Sequence, residues 1–198
     1  MPGKLWLMQK AAYGLVDASR RWWIKVVEYL ISLGERTLVG DECLLYFHIE
    51  EKLVGMVELH VDDFQGAGSE WFEKHVMDAI ENKFKISKRE SQSYKYTGID
   101  VMAKPDGSIE INQEAYKDTL EMIDIENNAD NERPLNKEEF EKFRGAAGKL
   151  TWLSECTRPD LAYDCLSMSC HNKDARIKDL KDMNKVIRKA LDHDTTVK

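Results

Sequence analysis

Apolar and polar positions alternate between residues 53 and 62. Leu53, Gly55, Val57, Leu59 and Val61 fall on one side of an extended chain, and Val54, Met56, Glu58, His60 and Asp62 on the other. A period of two predicts a strand, greasy on one face and turning polar towards its end on the other. The run ends in the adjacent carboxylates Asp62 and Asp63, with Gly66 and Gly68 just beyond, which predicts a hairpin carrying the two acids at its tip or shoulder. In that reading Val57, Leu59 and Val61 pack under a helix over residues 19–33. The helix itself is predicted by Trp23, Val26, Val27, Leu30 and Ile31 at helical spacing, with Asp17 or Ser19 as its cap and Gly34 as its stop. Residues 43–49 read as a further strand, joined to the central one by a turn at 50–52.

Beyond the hairpin, Ser69 caps a helix whose buried stripe is Phe72, Val76, Ala79 and Ile80. Residues 83–88 and 94–103 read as strands, and Pro105, Asp106 and Gly107 as a turn into a short strand over 108–111. A helix capped by Asn112 then carries Tyr116, Leu120 and Ile123. Residues 126–134 are polar, rich in Asn and Asp and closed by Pro134, the pattern of a linker. After it the periodicity is helical only: Phe140, Phe143, Ala147, Leu150 and Ser154 share one face, Thr157 and Pro159 punctuate before a second helix, and Ile177, Leu180, Asn184, Ile187 and Leu191 trace a third. The expected organisation is an α+β unit over 1–126, a linker over 127–134 and a helical unit over 135–198. No internal repeat or low-complexity tract interrupts it.

Composition adds limits. A chain of 198 residues, 42% hydrophobic and 33% charged, can bury a proper core. No window approaches the roughly 18 uninterrupted apolar residues of a membrane span, and residues 1–10 lack the apolar core of a signal peptide. The expected location is intracellular, in cytoplasm or nucleus, without a membrane partner. Cys43, Cys156, Cys165 and Cys170 are scattered, so reduced structural thiols are expected over a metal cluster built on Cys165, Cys170 and His171. The net charge of −7 is unevenly spread: residues 1–130 hold 15 basic against 24 acidic residues, and residues 131–198 hold 14 against 12. Between Lys173 and Lys189 seven basic residues face three acidic ones, so Lys181, Lys185 and Arg188 are candidates for a nucleic-acid backbone, with a solvated helix face as the plain alternative.

The chemistry rests on Asp62 and Asp63. Adjacent aspartates are common in turns. They are also two hard oxygen ligands at an exposed strand end, the donor type for a divalent metal at the edge of a polymerase palm. The local residues leave both readings open.

Five stretches, in order, bear a resemblance to the reverse transcriptase of copia-type LTR retrotransposons. Lys10 to Trp22, with Tyr13-Gly14-Leu15 and Arg20-Arg21-Trp22, resembles the family's Tyr-Gly-Leu block ending in Arg-x-Trp. His60-Val61-Asp62-Asp63 is similar to its catalytic x-Val-Asp-Asp box, Tyr96-Thr97-Gly98-Ile99 to its Leu-Gly-Ile strand, and Gln113 with Tyr116 to its Gln-x-x-Tyr segment. Arg144, Gly148, Leu150 and Thr157-Arg158-Pro159-Asp160 resemble its distal signatures. Asp17 and Ser19 depart from the family's frequent Gln and Pro, and His60 from its frequent Tyr.

The resemblance implies an incomplete polymerase palm, with an antiparallel sheet and packed helices, followed by a helical thumb or connection-like unit. It implies RNA-directed DNA polymerase activity by two-metal nucleotidyl transfer within a larger polyprotein. Asp62 and Asp63 would be catalytic metal ligands, and Tyr13, Gly14, Arg20 and His60 would lie on the nucleotide and template side. Gly98 would admit the primer backbone, the alternative being a bulge. The implied partners are primer-template and deoxynucleotides.

The family's first catalytic aspartate precedes the Tyr-Gly-Leu block, whereas no acidic residue here precedes Asp17. Mg²⁺ or Mn²⁺ is therefore expected only if a complementing palm or fingers segment supplies the missing strand, and the isolated chain is expected to be inactive. The competing reading is a decayed or co-opted fragment that binds nucleic acid or protein without catalysis. Trp22 and Trp23 are expected in the core, and Arg158 with Asp160 as a cap and ion pair.

Overall fold

A computed structural model describes residues 14–38, 41–171 and 173–192. The chain divides into two units, residues 1–89 and 90–198. The expected boundary at 126 thus moves upstream to the irregular stretch that follows the second helical segment.

In the first unit, helix α1 (Ala18–Ser32) precedes a four-stranded antiparallel sheet of order β1-β2-β3-β4, formed by β1 (Glu35–Leu38), β2 (Asp41–Ile49), β3 (Lys52–His60) and β4 (Asp63–Gly68). Asp17 caps α1 by position and pairs with Arg21 at 2.6 Å, and Gly34, at φ +95°, ends it. The helix buries Val26, Val27 and Leu30, while Ile31, expected on that stripe, is 55% exposed. Leu45, Phe47, Val57 and Leu59 meet them from the sheet, and removing each such side chain from water contributes roughly 1.5–3 kcal/mol. A register shift between Phe47 and His48 breaks the alternation at the start of β3, so Val54 packs on the core and Leu53 turns outward.

Ser69 caps the next helical segment as expected, its hydroxyl accepting from the Phe72 amide. The segment runs through α2 (Glu70–Phe72), a π turn at Glu73–Met77 and α3 (Asp78–Phe84). Phe72, Val76 and Ile80 are its buried stripe. The strand expected over 83–88 does not form. Phe84 continues the helical stripe by one more turn, packing against Trp22, Tyr29 and Phe64, and Lys85 stops the helix at φ +53°. Arg89 then gathers Glu73, Asp78 and Glu81 of this segment in one ion-pair cluster.

The second unit starts with a three-stranded antiparallel sheet of β5 (Ser93–Tyr96), β6 (Ile99–Ala103) and β7 (Ile109–Asn112). The single strand expected over 94–103 is therefore a hairpin, turned at Thr97 and Gly98, which sit at φ +48° and +86°. The helix expected after Asn112 shrinks to α4 (Glu114–Lys117). Leu120 and Ile123 are buried in irregular chain instead, because the Asn184 side-chain amide takes both the N–H and the C=O of Ile123, each at 2.8 Å, and holds that backbone outside any helix.

The helices α5 (Lys137–Cys156), α6 (Ala162–Ser169) and α7 (Ile177–Asp192) form the second core, centred on Phe143, Leu150, Leu161, Leu180, Met183 and Ile187. A full capping box starts α5: Asn136 accepts from the Glu139 amide and Glu139 from the Asn136 amide. The expected linker is no free connection. Leu135 N–H donates to Ala175 O, Ile177 N–H to Arg133 O and Lys178 N–H to Asn131 O, and Glu132 pairs with both Arg176 and Lys178, so this stretch is fastened to the start of α7.

Candidate functional site

Strands β3 and β4 pair from Gly55 with Gly68 to His60 with Asp63, which leaves Val61 and Asp62 as the two residues of the turn. The carboxylates thus occupy the tip and shoulder of an antiparallel hairpin, and both are exposed. Paired residues share a face, so Asp63 lies on the side of His60, Glu58 and Gln65, opposite the side where Leu59 and Val57 enter the core. The acid-bearing face of the sheet is therefore the one that α1 leaves uncovered.

Val61 departs from the expectation. It is 65% exposed, not packed, and adopts φ +55°, a left-handed conformation that is rare for a β-branched residue. A two-residue hairpin requires positive φ at its first turn position, and the turn imposes it on valine at a cost of order 1–3 kcal/mol. The turn is held from α1: Trp22 Nε1–H donates to Val61 O at 2.7 Å. The indole is fixed in turn by an edge contact with Phe84, with ring centroids 5.1 Å apart. Trp22 thus serves as part of the hairpin's support, in line with the expected core role.

The glycines beyond the acids have a packing reason. A Cβ on Gly55 would stand 2.2 Å from the Phe72 ring, and one on Gly68 2.5 Å from it. These two residues face each other across β3 and β4, so Phe72 lies over a smooth cross-strand pair and clamps the hairpin to the helical segment. A Cβ on Gly66 would meet the Met77 sulfur at 2.7 Å.

As metal ligands, Asp62 and Asp63 have the right donor chemistry but too few donors. Among the described residues no group of three or more His, Cys, Asp or Glu side chains forms that could hold a metal ion. Two carboxylates from one hairpin leave a hexacoordinate ion mostly to water.

The other candidate residues are dispersed. Tyr13 lies outside the described residues. Gly14 precedes α1 at φ +92° with open space around it, and Arg20 is exposed in the first turn of α1. His60 is exposed on the polar face, in register with Asp63. Gly98 is not a bulge: it sits in the tight β5–β6 turn, with nothing within 4 Å of where a Cβ would project. On α7 several cations are already engaged, Lys181 with Asn131, Lys185 with Asp182 and Lys189 with Asp164, while Arg188 is exposed.

The distal motifs meet each other and form structural contacts. Thr157 Oγ1 donates to Gln113 Oε1 at 2.9 Å across 44 residues, both side chains being buried. Arg158 is 3% exposed; it donates to Ala190 O at 2.8 Å and to both oxygens of Asp160, capping the C-terminal end of α7. The expected cap and ion pair are both present. Sequence reasoning missed the Trp22–Val61 bond and the contact of Phe72 with Gly55, since both join residues remote in the chain.

Comparison with known proteins places these motifs in context. The chain is 27% identical over 173 residues to the retrovirus-related Pol polyprotein from transposon RE2 of Arabidopsis thaliana, covering 79% of this chain and 11% of that protein. It is 25% identical over 179 residues to the corresponding polyprotein from transposon RE1, covering 82% of this chain and 12% of that protein. The chain is thus similar to a stretch of retrotransposon Pol polyprotein and spans about a tenth of the length of these relatives. No family model and no solved structure matches it.

Proposed function

We propose that this chain is a fragment of a retrotransposon reverse transcriptase, contributing the carboxylate hairpin of a polymerase palm to RNA-directed DNA synthesis. The observation that supports it best is the presentation of Asp62 and Asp63: two adjacent, exposed acids at a strained turn that is pinned from behind by Trp22. Holding reacting groups rigidly is most of what phosphoryl transfer asks of a protein.

In this reading the uncovered sheet face of the first unit meets primer-template and deoxynucleotide, with His60 near the template side. The chemistry would be two-metal nucleotidyl transfer, with Asp62 and Asp63 holding the ions together with a carboxylate from another segment of the polyprotein. The chain by itself is then inactive.

The test is primer extension with Mg²⁺ by the 198-residue chain and by the same chain complemented with an upstream palm segment carrying an aspartate. The expected result is extension only in the complemented form, abolished by Asp62→Asn. Extension by the chain alone, lost on Asp62→Asn, shows the site to be complete without a partner. Failure of the complemented form, with both pieces folded and associated, overturns the proposal.

A further inference from the structure

We infer that the cavity between α1 and the carboxylate hairpin is a binding site for an uncharged planar aromatic ring that carries a hydrogen-bond acceptor. The cavity measures about 280 Å³ and is walled by Trp22, Trp23, Val26, Leu59 and Val61. That volume suits a one- or two-ring molecule. Among the described residues Ser19 and Arg20 are its polar lining, and Cys43 also borders it.

The lining chooses the ligand's chemistry. Two indoles with aliphatic neighbours favour a flat aromatic face. Arg20 supplies donors and opposes a cation. Asp62 directly follows the wall residue Val61 in the chain, and a carboxylate one residue from the wall opposes a full negative charge in the cavity. Nearby Asp17 and Arg21 neutralise each other at 2.6 Å and shift this balance little. An uncharged ring with a carbonyl or ring-nitrogen acceptor satisfies all three conditions.

The site is preorganised, because Trp22 is held on one side by Phe84 and on the other by its bond to Val61 O. The same two residues, Trp22 and Val61, are both walls of the cavity and the parts of the hairpin support. A ligand seated there therefore bears on the position of Asp62 and Asp63. This inference is independent of the polymerase reading, since binding is measurable without catalysis.

The experiment uses the full chain and 2-naphthamide as probe. Iodoacetamide labelling of Cys43 and Cys170 is followed by peptide mass spectrometry; Cys170 is exposed elsewhere and serves as the internal control. Saturating 2-naphthamide is expected to slow Cys43 labelling at least fivefold and to leave Cys170 unchanged. Arg20→Gln, an exposed substitution that leaves the core untouched, should raise the half-protecting concentration about tenfold, as loss of one charged hydrogen bond implies. The carboxylate 2-naphthoate and a naphthylmethylammonium cation should each protect at least tenfold less well than the amide. Absent protection of Cys43, equal slowing at both cysteines, protection indifferent to Arg20→Gln, or equal protection by the charged analogues overturns the assignment.

Discussion

The indole N–H of Trp22 reaches across 39 residues to the carbonyl of Val61, at 2.7 Å, and so ties helix α1 to the turn that presents Asp62 and Asp63. Val61 needs this tie because its φ of +55° is one that valine resists. Trp22→Phe keeps the ring against Phe84 and deletes the donor. It should cost about 1 kcal/mol of stability in urea unfolding and speed amide exchange at residues 61–64. Val61→Gly should act the other way, raising stability by about 0.5–1 kcal/mol, as relief of a left-handed valine exceeds the entropy glycine adds to the unfolded chain. Equal or lower stability in Val61→Gly means the turn carries no strain.

Phe72 makes a second testable connection. Gly55→Ala places a methyl 2.2 Å from its ring, and Gly68→Ala one 2.5 Å away. Each should destabilise the first unit by about 1–3 kcal/mol. Phe72→Leu combined with Gly55→Ala should recover part of that loss, so a double-mutant cycle must show coupling between these positions. Strict additivity contradicts the clamp.

Stability against acid follows from two carboxylates in the second unit. Hydrogen bonds from Arg158 hold Asp160 below the usual carboxylate value of 3.8, and those from Arg133 hold Glu139 below 4.5. With folded values depressed, the unfolded chain binds more protons across this range, and stability rises with pH there. The stabilisation is fully present above the unfolded values and is lost as pH falls through the folded ones. Thermal unfolding of Asp160→Asn should therefore depend less steeply on pH below about pH 4 than the parent does. Arg158→Ala should cost about 3 kcal/mol at neutral pH, because it also strands the buried end of α7.

Binding of nucleic acid by α7 has a quantitative expectation. Each phosphate contact contributes about 0.9 to the slope of log affinity against log salt on duplex DNA. Replacing Lys181, Lys185 and Arg188 together should flatten the slope by roughly one rather than three, since Lys181 and Lys185 are already engaged by Asn131 and Asp182. An unchanged slope assigns no phosphate contact to this face.

What the amino-acid sequence determined by itself is the set of features written in short periods. The alternation of residues 55–60 specifies β3, the stripe from Val26 to Leu30 specifies α1, and the stripes around Phe143 and Leu180 specify α5 and α7. Such patterns follow from the repeat of strand or helix and need no distant partner. The Asp62-Asp63 hairpin was legible for the same reason. The tertiary structure decided everything that depends on a partner far along the chain. Phe84 stays helical because aromatic rings from α1 and β4 receive it. Ile123 leaves the helix because Asn184 takes its backbone groups, and residues 131–135 are drawn onto α7 by their own amides, carbonyls and charged side chains. Val61 turns outward because a two-residue hairpin has no place for it inside. For Phe84, Ile123 and residues 131–135 a long-range hydrogen bond or packing contact outweighs a local preference, and local spacing contains no record of which remote group will supply it.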